Sequence, residues 1–381
     1  MKKILSVIVV VVVTLTQTAQ ITAFAQETDK PTVNAQACVL YCVDDGKVYF
    51  SINGNKKMKP ASTTKLMTSL ITLEYADSAD KVVTFTKDMT AEGSSMYLKV
   101  GEKVKLSDLA AGMMMASGND AANAAAISIA GSAEKFSELM NNRAAVIGMK
   151  NTHFVTPSGL DDENHYSTAY DMALLMSYAL ENESFAKLTS QKSVTVQFSE
   201  PQSKRTTYVN HNRLLSMYEY CTGGKTGYTM AAGRCLVSSA KKDGLTFVCV
   251  TLNDRNDWND HIALYNYGFS QLACVECDDS DYYLEIPCAG GDDEKISVTG
   301  TKGKNIVVPF AKKENVARTV YADNFLYAPV KDGDIVGRIE YTLDGKTLAS
   351  TNLTAVEYSN TQNKNKSIWT KIKDFFTYGK E

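Results

Sequence analysis

Over residues 37–52 apolar residues cluster on either side of an Asp44-Asp45-Gly46 turn, which predicts a β-hairpin. Helical spacing then takes over. Leu66, Met67, Leu70, Ile71 and Leu73 share one broad face, in a helix beginning just after Pro60-Ala61-Ser62. A second helix is predicted over 106–115, and Gly118-Asn119-Asp120 separates it from an alanine-rich helix running to residue 129. Further helices are expected over 133–147 and 168–181. The period then falls to two, predicting strands over 192–198, 224–229, 234–239 and 246–252, and a last helix covers 258–272. Strands at both ends with helices between them indicate an α+β domain over residues 30–275, an α/β/α three-layer arrangement on an antiparallel sheet. Beyond it, strand-length segments divided by Gly and Asp turns predict a small all-β domain over 279–358.

The two ends of the chain carry other patterns. Lys2 and Lys3 precede an apolar stretch over 4–15, and Ala23-Phe24-Ala25 closes the segment. That is the form of a signal peptide over 1–25, and its apolar run is shorter than the roughly 20 residues a membrane span needs. The expectation is an exported protein. At the other end a polar linker over 359–366 leads to Ile368, Trp369, Ile372, Phe375 and Phe376, which fall on one helical face, with Lys371, Lys373 and Lys380 on others. From Asn360 onward five Lys stand against two acidic residues, a sum of +3, whereas residues 26–359 carry 33 basic against 41 acidic, or −8. A basic, aromatic, amphipathic tail after a polar linker predicts a helix lying on a membrane surface.

Composition narrows the function by exclusion. With 44% hydrophobic residues and only 7 Pro in 381, the chain is neither disordered nor fibrous. Its 40 basic and 43 acidic residues leave no basic excess for nucleic acid. Eight irregularly spaced cysteines favour buried thiols over a disulfide framework, and Cys274-Val-Glu-Cys277 lacks a second pair for zinc, so no metal is expected. The four histidines form no H-E-x-x-H, and no G-x-S-x-G appears. Gly224-Lys225-Thr226 imitates the end of a phosphate-binding loop, but Glu219 stands where its first Gly belongs.

A serine hydrolase without a histidine base can use a lysine whose pKa is lowered. Ser62-Thr63-Thr64-Lys65 puts a hydroxyl and an amine three residues apart, on the same face of a helix. The S-x-x-K pattern recurs from Ser78, Ser132, Ser184, Ser238 and Ser239, so spacing alone does not single out Ser62. Its place does: it opens an apolar helix behind Pro60, where unpaired backbone N–H groups favour developing negative charge. Ser117-Gly118-Asn119 sits at a helix break, and Lys225-Thr226-Gly227 is the one K-T-G in the chain, with Gly227 letting another backbone approach. A capping serine, a loop asparagine and a strand lysine are the structural alternatives for each element by itself. The three together, in this order, are a known catalytic signature.

With these motifs the chain resembles the serine D-alanyl-D-alanine carboxypeptidases, the low-molecular-mass penicillin-binding proteins of peptidase family S11. Thr156-Pro-Ser-Gly-Leu160 and Thr168-Ala-Tyr-Asp-Met-Ala173 add to the likeness. The resemblance implies a β-lactamase/transpeptidase-like fold, no cofactor, and a substrate that is a peptidoglycan pentapeptide ending in D-Ala-D-Ala, with β-lactams as covalent inhibitors. It implies Ser62 as nucleophile, Lys65 as its neutral base and Ser117 as the proton relay to the departing D-alanine. Asn119 would hold the peptide and Lys65, while Lys225 and Thr226 would attract the terminal carboxylate. The N–H groups of Ser62 and Tyr228, beside Gly227, would form the oxyanion hole. Arg255 is a further candidate for the carboxylate, and Asp171 is expected to order a loop. A penicillin-binding protein without turnover and a weak β-lactamase are the competing readings. Against the second, no E-x-x-L-N occurs between Asn151 and Glu183.

Overall fold

The structure, a computed structural model, describes residues 30–291 and 293–356, so the expected signal peptide and the amphipathic tail lie outside the described residues. It opens on the hairpin of β1 (Ala37–Cys42) and β2 (Lys47–Ile52). A 3₁₀ turn, Ala61–Thr64, leads directly into α1 (Lys65–Ser78). A two-stranded ribbon, β3 (Val82–Thr84) with β4 (Lys103–Lys105), precedes the helices α2 (Leu106–Met115), α3 (Asn119–Ala130) and α4 (Ala133–Ile147). After α5 (Ala169–Ala179) and α6 (Glu183–Thr189) comes a second ribbon, β5 (Ser193–Gln197) with β6 (Arg205–Val209), then α7 (Leu214–Met217). The domain closes with β7 (Cys221–Thr229), β8 (Gly233–Lys242), β9 (Leu245–Leu252) and α8 (Asp257–Gln271).

The central sheet is antiparallel, in the order β2-β1-β9-β8-β7, which leaves β7 at an edge. Side chains alternate across it. Val39, Tyr41, Val237, Val248 and Val250 point into the larger core with α1, α2 and α5. Leu40, Cys42, Leu236, Phe247 and Cys249 point into the smaller core under Leu264 and Tyr265 of α8. Each fully buried aliphatic side chain contributes on the order of 1.5–3 kcal/mol, which pins register on both faces. The three-layer α/β/α arrangement expected from the sequence is therefore present.

Local signals account for the helix ends. The Ser132 hydroxyl accepts from Lys135 N–H at the start of α4, and Gly148 ends it in the left-handed region (φ +88°). Thr168 caps α5 in the same way, accepting from Asp171 N–H. Asp171 itself accepts from Asn151 N–H and the Thr152 hydroxyl, so it orders the preceding loop, as expected. Helix α6 and strand β6 were not foreseen: α6 has only seven residues, and β6 buries Tyr208 alone, too little to imprint a period.

The remaining strands are β10 (Leu272–Val275), β11 (Tyr283–Ala289), β12 (Lys295–Gly300), β13 (Ile306–Pro309), β14 (Ala317–Ala322), β15 (Leu326–Tyr327), β16 (Ile335–Leu343) and β17 (Lys346–Ala355). Six of them form a second sheet around Ile286, Ile296, Val298, Ile339 and Leu353, the small all-β unit expected from the turn-rich sequence. The eight cysteines are free thiols, and burial pushes those of Cys38, Cys42 and Cys235 up to about 12. Among the described residues no helix is long and apolar enough to cross a membrane, and no cluster of metal-ligating side chains occurs.

Candidate active site

Ser62 stands on the 3₁₀ turn rather than inside α1, and that turn sets the site. In a 3₁₀ turn residues i and i+3 eclipse. Lys65 Nζ accordingly lies 2.9 Å from Ser62 Oγ. The turn is entered through Ala61 at φ +49°, a conformation costly to a residue with a Cβ. Two contacts hold it there. Thr63 donates twice to Pro60 O, from its N–H and its hydroxyl. Gly159 closes over it, where a Cβ would come within 2.0 Å of Ala61 O. That clash, with a φ of +81° at Gly159, is the physical content of the Pro-Ser-Gly stretch.

Lys65 is completely enclosed and donates to Asn119 Oδ1 (2.6 Å) and to Ser158 O (2.7 Å). A neutral amine has two N–H donors and one lone pair. With both donors engaged, the lone pair is left for the Ser62 hydroxyl. Burial first, then the Lys225 cation, hold Lys65 well below the usual lysine range, against an opposing pull from Asp120. Next to it, Thr64 Oγ1 is 2.9 Å from His165 Nε2. His165 Nδ1 accepts from Val155 and Thr156 N–H, and burial brings its pKa down to about 4, so this histidine is a neutral strut.

Ser117 and Asn119 flank the break between α2 and α3, with Ser117 at φ +56°. Between them a Cβ on Gly118 would come within 2.9 Å of Met96 N, which explains why this middle motif carries Gly. Asn119 donates through Nδ2 to Glu92 O (2.7 Å), and its own N–H donates to Ser94 O (2.8 Å). Asp120 accepts from Met96 N–H, Leu98 N–H and the Ser95 hydroxyl, fixing the 94–98 loop against the cavity.

Lys225 reaches the same point from β7. Its Nζ donates to Ser117 Oγ (3.1 Å) and Thr226 O (2.8 Å), and burial lowers its pKa to about 7. A Cβ on Gly227 would lie 3.0 Å from Pro60 O, Ser62 N and Thr63 N. The edge strand thus runs against the Ser62 turn at van der Waals distance, the close backbone approach expected at Gly227. Ser62, Ser117, Thr226, Gly227 and Tyr228 line one cavity of about 450 Å³.

Not every expectation converges here. Arg255 is exposed and lines a separate polar cavity with Asn34, Gln36, Asn253 and Asn256, because the loop after β9 turns it away. The arginine in the Ser62 cavity is Arg234, accompanied by Ser94, His211, Cys235, Asp257 and Trp258. None of these six belongs to a motif. Arg234 was reachable only through the hairpin register that sets it opposite Tyr228.

Residues 24–256 match the peptidase family S11 described as D-alanyl-D-alanine carboxypeptidase, and residues 278–359 match the penicillin-binding protein 5 C-terminal domain. The D-alanyl-D-alanine carboxypeptidase DacF of Bacillus subtilis is 32% identical over 371 residues, covering 94% of each chain. DacC of Escherichia coli, of the same description, is 34% identical over 88% of this chain and 87% of its own. The crystal structure of penicillin-binding protein 5 from Haemophilus influenzae superposes with a TM-score of 0.64 at 29% identity, over 87% of this chain and 98% of that one. Motifs, site geometry and these likenesses agree: the chain belongs to the D-alanyl-D-alanine carboxypeptidase family, peptidase family S11.

Proposed function

We propose that this protein is a serine-type D-alanyl-D-alanine carboxypeptidase that removes the terminal D-alanine from peptidoglycan pentapeptides through an acyl-enzyme on Ser62. The observation that carries this reading is the enclosed amine of Lys65, whose two donors are taken while Ser62 Oγ stands 2.9 Å away. Ser62 gives its proton to Lys65 as it attacks the penultimate carbonyl, and the N–H groups of Ser62 and Tyr228 receive the oxyanion. Ser117, bridged to Lys225, passes a proton to the nitrogen of the departing D-alanine. Asn119 keeps Lys65 aimed and faces the substrate amide, and Lys225 and Thr226 face the terminal carboxylate. Water then releases the shortened peptide from Ser62. A β-lactam offers the same acyl carbon and would be trapped on the same oxygen.

Turnover distinguishes an enzyme from a mere penicillin-binding protein. Diacetyl-L-Lys-D-Ala-D-Ala should lose D-alanine linearly over many equivalents per protein. A single equivalent, or none, would contradict the proposal.

We place the mature protein on the outer face of the cytoplasmic membrane, held by residues 359–381. The support is the apolar face of Ile368, Trp369, Ile372, Phe375 and Phe376 with its surrounding lysines. Residues 26–381 should co-sediment with anionic liposomes, less so in high salt, and a chain ending at Tyr358 should stay in the supernatant. Equal pelleting of the two would remove the anchor.

A further inference from the structure

The β domain carries an exposed aromatic rim that has no part in the scheme above. Strand β15 is two residues long and lies at a sheet edge, parallel to β11, with Leu326 opposite Cys288 and Tyr327 opposite Ala289. Successive side chains of a strand point to opposite faces. Leu326 accordingly enters the core with Ile286 and Ile339, while Phe325 and Tyr327 on either side of it stay 50% and 72% exposed. Their rings meet edge to face, with centroids 5.1 Å apart. Ile335 and Val356 are exposed as well. Hydrogen bonds tie this rim to the place where the described chain ends. Ala328 N–H donates to Ala289 O (3.1 Å), Gly333 N–H donates to Ala355 O (2.8 Å), and Ala355 N–H donates to Asp334 O (2.9 Å). Five residues lead from Ala328 to Gly333, so the two stand no more than about 18 Å apart.

Beyond Val356 the sequence runs through the polar linker 359–366 to the apolar face that begins at Ile368. Eight linker residues reach at most about 28 Å, so a bilayer that holds the tail is never far from the rim. We infer that Phe325 and Tyr327 form a second membrane contact, resting in the interfacial layer of the bilayer on which the tail lies. This inference rests on the anchor reading given above. The chemistry suits a lipid surface: aromatic rings settle at the headgroup boundary, where the body of a tyrosine is apolar and its hydroxyl stays wet. Tethering by the tail makes the second contact intramolecular, so two side chains suffice where they could not hold a free domain. Charge separates the two contacts. Residues 323–335 carry Asp323, Asp332 and Asp334 against Lys331, a sum of −2, whereas the tail carries +3. The rim therefore binds through apolar area rather than through attraction to anionic lipid, and its share of the binding does not depend on salt.

The test titrates residues 26–381 with vesicles of phosphatidylcholine alone and of phosphatidylcholine with phosphatidylglycerol, each at low and high salt. Phe325→Ser combined with Tyr327→Ser should weaken binding roughly 10-fold on both kinds of vesicle and at both salt concentrations, the effect of removing two interfacial aromatic rings. Both side chains are exposed, so the melting temperature should not change. Phe310→Ser is the control. Phe310 is also exposed but follows β13, which pairs with β10 in a separate ribbon, and its loss should leave binding as it was. Depth is read by fluorescence in a Trp369→Phe protein, whose remaining Trp258 lines the Ser62 cavity and sets the background. Adding Tyr327→Trp should introduce a signal that phosphatidylcholine brominated on its acyl chains quenches. Unchanged binding by the double variant, an equal loss in Phe310→Ser, or no quenching in the vesicle-bound Tyr327→Trp protein would each overturn the second contact and leave the tail as the anchor. If unaltered 26–381 binds neither kind of vesicle, the anchor reading fails, and the second contact fails with it.

Discussion

Ser62→Ala should lower D-alanine release by roughly 10⁴-fold or more and remove covalent penicillin labelling altogether, because it deletes the one oxygen that both reactions require. The fold has no reason to suffer. Ser62 is only partly buried, and the turn that carries it is held by Thr63 on Pro60 O and by Gly159 on Ala61. The Ser62→Ala protein should therefore unfold at nearly the temperature of the parent, and a thermal melt beside the labelling gel checks this. Substantial labelling of a folded Ser62→Ala protein would transfer the nucleophile to another of the S-x-x-K serines.

Lys65→Arg and Lys225→Arg should fail by very different amounts. Lys65 needs a lone pair facing Ser62. Its burial and the neighbouring Lys225 hold its pKa well below the usual lysine range, and acylation should decline as acid protonates it. Arginine stays charged at any accessible pH, so Lys65→Arg should cost on the order of 10³-fold in acylation, within the range of a lost general base. Lys225 instead donates to Ser117 Oγ and Thr226 O, and a guanidinium can still do both. It also remains a cation beside Lys65, which helps keep that amine neutral. Lys225→Arg should lose roughly 10- to 100-fold, mainly from the tighter fit in an enclosed site. Stopped-flow acylation by a chromogenic β-lactam measures both variants, and equal losses would contradict the division of roles.

How much of this could be read from residues alone follows from what each feature depends on. Helix α2 was legible at both ends because a charged strand residue precedes it and Ser117-Gly118 breaks it. Strands β8 and β9 were legible because each buries side chains over most of its length against at least one strand partner. The meeting of Ser62, Lys65, Ser117, Asn119 and Lys225 was legible because each belongs to a short motif with fixed residue types at fixed spacing. The 3₁₀ turn under Ser62 was not. It depends on Gly159, almost a hundred residues away, packing onto Ala61 and stabilising a positive φ there. The presence of Arg234 in the Ser62 cavity was invisible for a similar reason. That Arg234 lines this cavity and Arg255 another rests on a hairpin register and on where α8 begins, and both are tertiary facts. Asp120 belongs with them, since its three partners at Ser95, Met96 and Leu98 lie more than twenty residues upstream.

The central claim is that one oxygen, that of Ser62, carries the acyl group. It is tested most directly by mixing residues 26–381 with benzylpenicillin, quenching in acid, digesting, and locating the added mass by fragmentation. The account predicts a single penicilloyl adduct, stoichiometric at early times, on the peptide containing Ser62-Thr63-Thr64-Lys65 and on its serine. An adduct on any other residue, or no adduct from a folded protein, would contradict it.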